Sequence, residues 1–211
     1  MRAALLRSMP LLRSQGRRDT GPAMSAENVE IVRKPLRVRE QSSRTLDQRL
    51  VLRFPRLANA YARLIGRLPP TSRVRRAVMW RGTRLGMEAF NRGDVDAAVS
   101  PGSDDFEYIP PREFVEAGFF EPCYRGPAGF GEYMATWSEV VGADLRLEPL
   151  ELIDLGDRIV MLAEFAGRGQ ASGAPFTGKI ATVSVMRDGR AIRVQGYSDH
   201  AEALEAVGLR E

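Results

Sequence analysis

The sequence predicts an α+β fold in which helices come first and a meander of antiparallel strands follows, curving as one sheet around them. Three observations carry this. Apolar residues recur at three- and four-residue intervals from Leu46 to Val141. From Leu145 the period shortens to that of strands. Finally, the stretch VSVMRDGRAIRVQGYSD (183–199) reads as two strands joined by Asp188-Gly189, a two-residue turn of the kind that needs positive φ.

The elements follow in order. Ser25 to Ser43 is polar, basic and broken by Pro35, which allows at most a short helix over 26–34. Leu46, Leu50, Phe54, Leu57, Tyr61, Leu64 and Leu68 form an amphipathic stripe, with Pro55 expected to kink or divide the helix. Arg49, Arg53, Arg56, Arg63 and Arg67 fall largely off that stripe. Such a helix can lie on a membrane surface; the commoner arrangement, expected here, packs the stripe on the neighbouring domain. Pro69-Pro70 punctuates, and Thr71 or Ser72 caps a helix to about Asn91 whose stripe is Val74, Val78, Leu85 and Ala89. Asp94 caps a short helix over 95–99. A short strand over 105–109 precedes a long connection, 110–122, whose Phe114, Phe119 and Phe120 suggest a loop covering a pocket. Gly126-Pro127 opens a further helix with Phe130, Met134, Trp137 and Val141 on one face.

In the strand region Leu145 and Leu147 alternate, Pro149 shifts the phase, and Leu150 and Leu152 alternate again, which predicts a bulge or bend. Residues 158–167 are apolar on both faces, as in a central strand. A loop at 169–173 leads to the hairpin, and the tail AEALEAVGL is a short helix closed by Gly208. Counting outward from the turn sets Arg187 against Arg190, Val185 against Ile192, Ser184 against Arg193, Val183 against Val194 and Thr182 against Gln195. One face of the hairpin then carries Val183, Val185, Ile192 and Val194. The other carries Thr182, Ser184, Arg193, Gln195, Tyr197 and Asp199, and is either solvent or pocket.

Composition bounds the function. The 211 residues, 44% apolar, suit one domain with an extension. Cys123 and His200 are each the only one of their type, so no intrachain disulfide and no His/Cys zinc cluster is expected. No run reaches the ~18–20 apolar residues of a membrane span, and a cytoplasmic protein is the default reading. Residues 1–86 hold 20 Lys+Arg against 5 Asp+Glu, and residues 87–211 hold 11 against 22. The basic arm can meet nucleic acid or anionic lipid. Because no reader motif accompanies its arginines, docking on the acidic domain of its own chain or of a dimer mate is the preferred reading. Residues 1–23 resemble an organelle-targeting presequence; Met24, followed by SAENVEIVRK, offers a second natural start.

Taken together, MEAFNRGDVDAAV (87–99), the DFEY strand, YRGPAGFGEYMATW (124–137), LEPLELIDLGDRIVML (147–162), GRGQASG (167–173) and RDGRAIRVQGYSDHAEALEAVGL (187–209) resemble the SnoaL-like proteins of the nuclear transport factor 2-like superfamily. The resemblance covers roughly residues 71–209 and implies a cone: a strongly curved antiparallel sheet around a few helices, a pocket at its open end, and commonly a homodimer. It divides the chain into a basic arm (1–44), an amphipathic helical extension (45–70) and a SnoaL-like domain (71–209). ENVEIVR (27–33) resembles the opening of many relatives, but some fifty residues separate it from MEAFNRGD.

The superfamily spans cyclases, isomerases, hydrolases, dehydratases and proteins with no known reaction, so fold does not give function. In its polyketide cyclase branch the last strand ends in an acid/base Asp, which the resemblance carries to Asp199; the His of the preceding strand falls near position 184, where this chain has Ser184, with Thr182 two residues back. Asp199 is thus the candidate catalytic group, and its alternative is to cap the helix that follows. Tyr197 and Gln195 are candidates for binding a carbonyl or enolate, or belong to an amphipathic outer face. Glu107 and Tyr108 sit where relatives carry an acidic-aromatic pair, and Tyr124 and Trp137 are pocket wall or core. The implied function is binding of a small apolar or aromatic molecule, with cofactor-free acid/base chemistry of the cyclase, isomerase or hydratase/hydrolase type, or else non-catalytic binding or dimerisation. No cofactor and no metal are expected.

Overall fold

A computed structural model describes residues 43–100, 102–141, 144–168 and 173–209. The short helix expected over 26–34 and both readings of residues 1–23 lie outside the described residues. The first two helices are α1 (Leu46–Arg53) and α2 (Pro55–Gly66), divided at Phe54-Pro55 as the proline requires. Thr45 and Gln48 form a capping box at the start of α1. Ser72 caps α3 (Arg73–Asn91), and Asp94 caps α4 (Val95–Val99) by accepting the Ala97 N–H.

Strand β1 (Gly102–Ile109) leads into the 110–122 connection, which is not a loose cover. It holds a short helix, α5 (Arg112–Glu116), and puts Phe114 and Phe120 into the core beside Trp137. Two-residue β2 (Tyr124–Arg125) runs directly into α6 (Gly126–Val141). The remaining strands are β3 (Arg146–Asp154), β4 (Arg158–Arg168), β5 (Pro175–Arg187) and β6 (Arg190–Tyr197), followed by α7 (His200–Glu205).

The six strands form one curved, unclosed sheet in the order β2-β1-β6-β5-β4-β3. All neighbours are antiparallel except β1 and β6, which run parallel. β4 is flanked on both sides, as its two apolar faces predict. Its Met161, Ala163 and Phe165 join the main core against the helices, while Val160 and Leu162 join a second cluster with Ala181, Val183 and Ala203, where α7 covers the outer face. The bulge expected near Pro149 is present, between Pro149 and Glu151.

The hairpin departs from the counted register. Asp188 (φ 52°) and Gly189 (φ 74°) make the expected turn, and Arg187 pairs with Arg190 and Met186 with Ala191. Ile192 is then an extra residue, so Val185 opposes Arg193, Ser184 opposes Val194, Val183 opposes Gln195 and Ala181 opposes Tyr197. A single-residue slip exchanges the faces of one strand against the other. Thr182, Ser184 and Val194 therefore share the inner face, and Gln195 and Tyr197 share the outer face with Val183 and Ala181.

One side chain ties the helical extension to this frame. Arg75, 3% exposed, donates from Nε and Nη2 to both carboxylate oxygens of Asp154 on β3 at 2.6 and 2.8 Å. It also donates to the carbonyls of Gly66 and Leu68 at the end of α2 (2.7 and 2.8 Å) and of Gly156 in the β3–β4 turn (2.7 Å). Five bonds from one guanidinium thus join α2, α3 and the sheet, a use of its planar fork that lysine cannot reproduce.

Candidate functional site

Between the inner face of the sheet and helices α1 to α3 lies a cavity of about 430 Å³. The floor is sheet: Ile159 and Met161 of β4, Ile180, Thr182 and Ser184 of β5, Val194 of β6 and Tyr108 of β1. The wall is helix: Val78, Met79, Gly82, Leu85 and Phe90 of α3, with Phe130 and Tyr133 of α6. The roof is the extension, where Gln48, Val51, Ala58, Ala62 and Ile65 face inward.

The roof sits where it does because its inner residues are small. Gly66 and Ala62 of α2 lie directly against Gly189 in the hairpin turn, and a Cβ on Gly189 would collide with the Ala62 carbonyl oxygen. That close approach fixes the rotation of α2. It also reverses the expectation for the amphipathic stripe: Leu46, Leu50, Phe54, Leu57, Tyr61 and Leu64 do not pack on the domain but stand 51–75% exposed. Gln48 is the buried polar group of the roof, and both ends of its amide are bonded. Nε2 donates to the Leu85 carbonyl at 2.8 Å, and Oε1 accepts from the Thr45 N–H and from Arg92, each at 3.0 Å.

Polar atoms on the cavity surface are few. The Tyr108 and Tyr133 hydroxyls are bonded to each other at 2.9 Å in the buried core. Burial pushes the Tyr108 phenol up to about 12 and, with the neighbouring Tyr108, drives Tyr133 well above its ordinary value. Both stay protonated and can only donate or accept hydrogen bonds. Ser184, Val194 and Tyr108 lie in register across β5, β6 and β1, so one hydroxyl stands on each side of Val194 along a single row of the floor. Among the described lining residues the one carboxylate is Asp47, and its Oδ2 accepts from Arg81 Nε at 2.6 Å.

Of the residues read from sequence, Tyr108, Thr182 and Ser184 reach this cavity. The others do not. Glu107 is on the outer face, ion-paired with Arg125 at 3.0 Å, because it alternates with the inward Phe106 and Tyr108. Tyr124 and Trp137 are buried in the aromatic core, and the Tyr124 hydroxyl accepts the Glu121 N–H at 3.0 Å. The Ile192 bulge turns Gln195 and Tyr197 outward, where Tyr197 packs with the second cluster and its burial raises the phenol pKa. Asp199 is exposed and caps α7, its Oδ1 accepting the Ala201 N–H at 2.7 Å, which is the alternative role considered for it. His200 Nε2 lies 3.0 and 3.2 Å from the carbonyls of Ala163 and Ile180 and does not face Asp199 across a pocket. Tyr133 and Gln48 are the polar groups sequence reasoning missed; Tyr133 was signalled by its place three residues after Phe130 and four before Trp137 on the same helical face.

Among the described residues no three His, Cys, Asp or Glu side chains gather as metal ligands, and no helix is long and apolar enough to cross a membrane.

Comparison with known proteins agrees with this architecture. No curated protein matches the chain. Among solved structures, TerC co-crystallized with polyporic acid is 26% identical, with a TM-score of 0.51 over 60% of this chain and 95% of that one. A nuclear transport factor 2-like protein of unknown function from Burkholderia pseudomallei is 24% identical, with a TM-score of 0.50 over 61% and 96%. A protein with a ketosteroid isomerase-like fold from Catenulispora acidiphila, in complex with trimethylamine, is 16% identical, with a TM-score of 0.47 over 61% and 92%. The family profile described as the SnoaL-like domain matches residues 84–194, from the second half of α3 through β6. With the element order, the curved six-stranded sheet and more than half the chain matched, the protein belongs to the SnoaL-like family of the nuclear transport factor 2-like superfamily.

Proposed function

We propose that this protein binds a small, largely apolar molecule in the roofed cavity and does not transform it by acid/base chemistry. The observation that carries this reading is the composition of the cavity: about 430 Å³ lined mainly by aliphatic and aromatic side chains, with Asp47 as the one carboxylate among the described lining residues. A volume of that order suits a small-molecule pocket. Proton abstraction from carbon needs a base within hydrogen-bond reach of the substrate. Among the described lining residues the one carboxylate, Asp47, is already engaged by Arg81, and burial holds the Tyr108 and Tyr133 phenols protonated. Asp199, the base implied by resemblance to the cyclases, is outside the cavity. The row of Ser184, Val194 and Tyr108 favours a ligand with one or two oxygen atoms on an otherwise apolar frame. That the related TerC was co-crystallized with polyporic acid supports a small-molecule role.

Gly82 provides the test. It lines the cavity from α3, and a Cβ placed on it meets nothing within 4 Å. Gly82→Phe should fill the space, and replacing a helix-interior glycine should keep or raise stability. Aromatic and alicyclic compounds bearing one carbonyl or carboxyl group, screened by thermal shift and calorimetry, should include ligands that bind the wild type and not Gly82→Phe. They should be recovered unchanged by mass spectrometry after prolonged incubation. A ligand that binds both proteins equally would refute the cavity as the site, and turnover of a bound ligand would refute the non-catalytic reading.

A further inference from the structure

The unexplained feature of this molecule is the outward face of its roof. Leu46 and Leu50 of α1, Phe54 at the break, and Leu57, Tyr61 and Leu64 of α2 are six large apolar residues, each more than half exposed, recurring at three- and four-residue intervals. Contiguous exposure of this kind marks an interaction surface. On α2 Ala58, Ala62 and Ile65 face the cavity, Leu57 and Leu64 face outward, Tyr61 stands at the cavity edge with half of its surface exposed, and Arg56, Arg63 and the C-capping Arg67 follow the remaining flank. Arg49 and Arg53 border the stripe on α1.

Charge selects the occupant. From Gln48 to Met87 the chain has ten arginines and no Asp or Glu. Arg49, Arg53, Arg56, Arg63 and Arg67 are exposed and have no carboxylate partner among the described residues. Two protein occupants fit poorly. A second copy meeting this face symmetrically would bring two sets of these five arginines to one interface, with no Asp or Glu between Gln48 and Met87 to offset them. Residues 1–42 carry nine Lys+Arg against four Asp+Glu, so that segment is also of like sign. An anionic bilayer surface satisfies both halves of the pattern, accepting the apolar stripe between acyl chains and the guanidiniums at the headgroups. We propose that α1 and α2 dock on anionic membrane surfaces through Leu46, Leu50, Phe54, Leu57, Tyr61 and Leu64, with the arginine flank at the lipid headgroups. The inference does not depend on the cavity holding a ligand.

The full-length protein is floated with vesicles of phosphatidylcholine alone and of phosphatidylcholine mixed with phosphatidylglycerol. Binding to the anionic vesicles alone is expected, weakening as salt rises and by about fivefold for each arginine of the flank changed to Gln. Combining Leu50→Asp, Leu57→Asp and Leu64→Asp should lower vesicle affinity by at least about a hundredfold while the circular dichroism spectrum stays that of the wild type, since all three side chains already face solvent. Leu57→Trp supplies a reading that needs no disruptive change: its added emission should shift to the blue on anionic vesicles. No binding by the wild type, undiminished binding by a folded triple variant, or no blue shift at Trp in position 57 would each overturn the proposal. So would a dimer in sedimentation that the triple variant dissolves, which would assign the face to a second copy.

Discussion

Arg75→Met is the sharpest test of how the roof is held. The substitution keeps an unbranched side chain in the same space and removes all five hydrogen bonds that Arg75 donates. Its ionic partner is nearly as enclosed, with the Asp154 side chain 8% exposed against 3% for Arg75. Deleting one member of a buried pair leaves the other charge uncompensated, a loss of about 3–5 kcal/mol in comparable cases. The Gly66, Leu68 and Gly156 carbonyls lose a charged donor as well, but the first two lie at a helix end that water can reach once the clamp is gone, so they add little beyond this range. Asp154 keeps one bond, from the Gly156 N–H to its Oδ1 at 3.0 Å, which favours the lower half. A destabilisation of about 4 kcal/mol corresponds to a fall of roughly 8–16 °C in Tm for a chain of this size.

Urea and thermal unfolding followed by circular dichroism measure that loss, and hydrogen exchange locates it. Amides of α2 should lose protection before those of β4 and β5, because Arg75 binds the last turn of α2 and the sheet strands are held by their own ladders. Pairing Arg75→Met with Asp154→Leu removes the orphaned carboxylate, and the double variant should recover at least about 1 kcal/mol relative to Arg75→Met alone. If Arg75→Met unfolds within about 1 kcal/mol of the wild type, or if the second substitution makes matters worse, the buried charge is not what fixes the roof.

Three further outcomes follow from particular contacts. Gly189→Ala combines a positive φ of 74° with a collision against the Ala62 carbonyl oxygen, and should cost about 3–5 kcal/mol in unfolding free energy and abolish ligand-induced thermal shifts. Asp94 is held down at about 2, first by the side-chain hydrogen bond from Arg44. Its pKa is lowered on folding, so its stabilising effect is complete above about pH 4 and is lost as the pH falls toward 2. Since Asn caps as well as Asp, Asp94→Asn should cost no more than about 1 kcal/mol at pH 7 for this partly solvated pair, with the difference from wild type vanishing in denaturation curves near pH 2. Asp199→Ala should lose about 1 kcal/mol of stability through the cap of α7 and leave ligand affinity unaltered in calorimetry; a loss of affinity beyond tenfold would return Asp199 to the binding site.

Much of the architecture was legible because it rests on local chemistry. Ser72, Asp94 and Asp199 cap the helices that follow them, Pro55 divides α1 from α2, and Pro149 announces the bulge of β3. Each of these is a backbone demand that one residue type meets. The site was less legible because it depends on which face of an element turns inward, and that is settled by contacts distant in sequence. The family resemblance singles out Tyr108 and Ser184, while the hairpin count leaves the face of Thr182 and Ser184 open between solvent and pocket; all three line the cavity. Ile192, however, lies in an alternating run with no Gly or Pro to mark a bulge, and its insertion sends Gln195 and Tyr197 to the other side.

The roof shows the same principle acting on a helix. Amphipathicity told that 46–68 has an apolar stripe, and the largest stripe is ordinarily the buried one. Here burial is decided by closeness of backbone approach. Gly189 can meet Ala62 and Gly66 only if no large side chain stands between them, so the small face of α2 turns inward and the large one outward. Arg75 secures that orientation from beneath by binding the carbonyls of Gly66 and Leu68. The exposed stripe is therefore a consequence of how the cavity is closed: the packing that roofs an apolar chamber also presents leucine and arginine to the outside, and any surface that takes up α2 lies one helix thickness from the cavity.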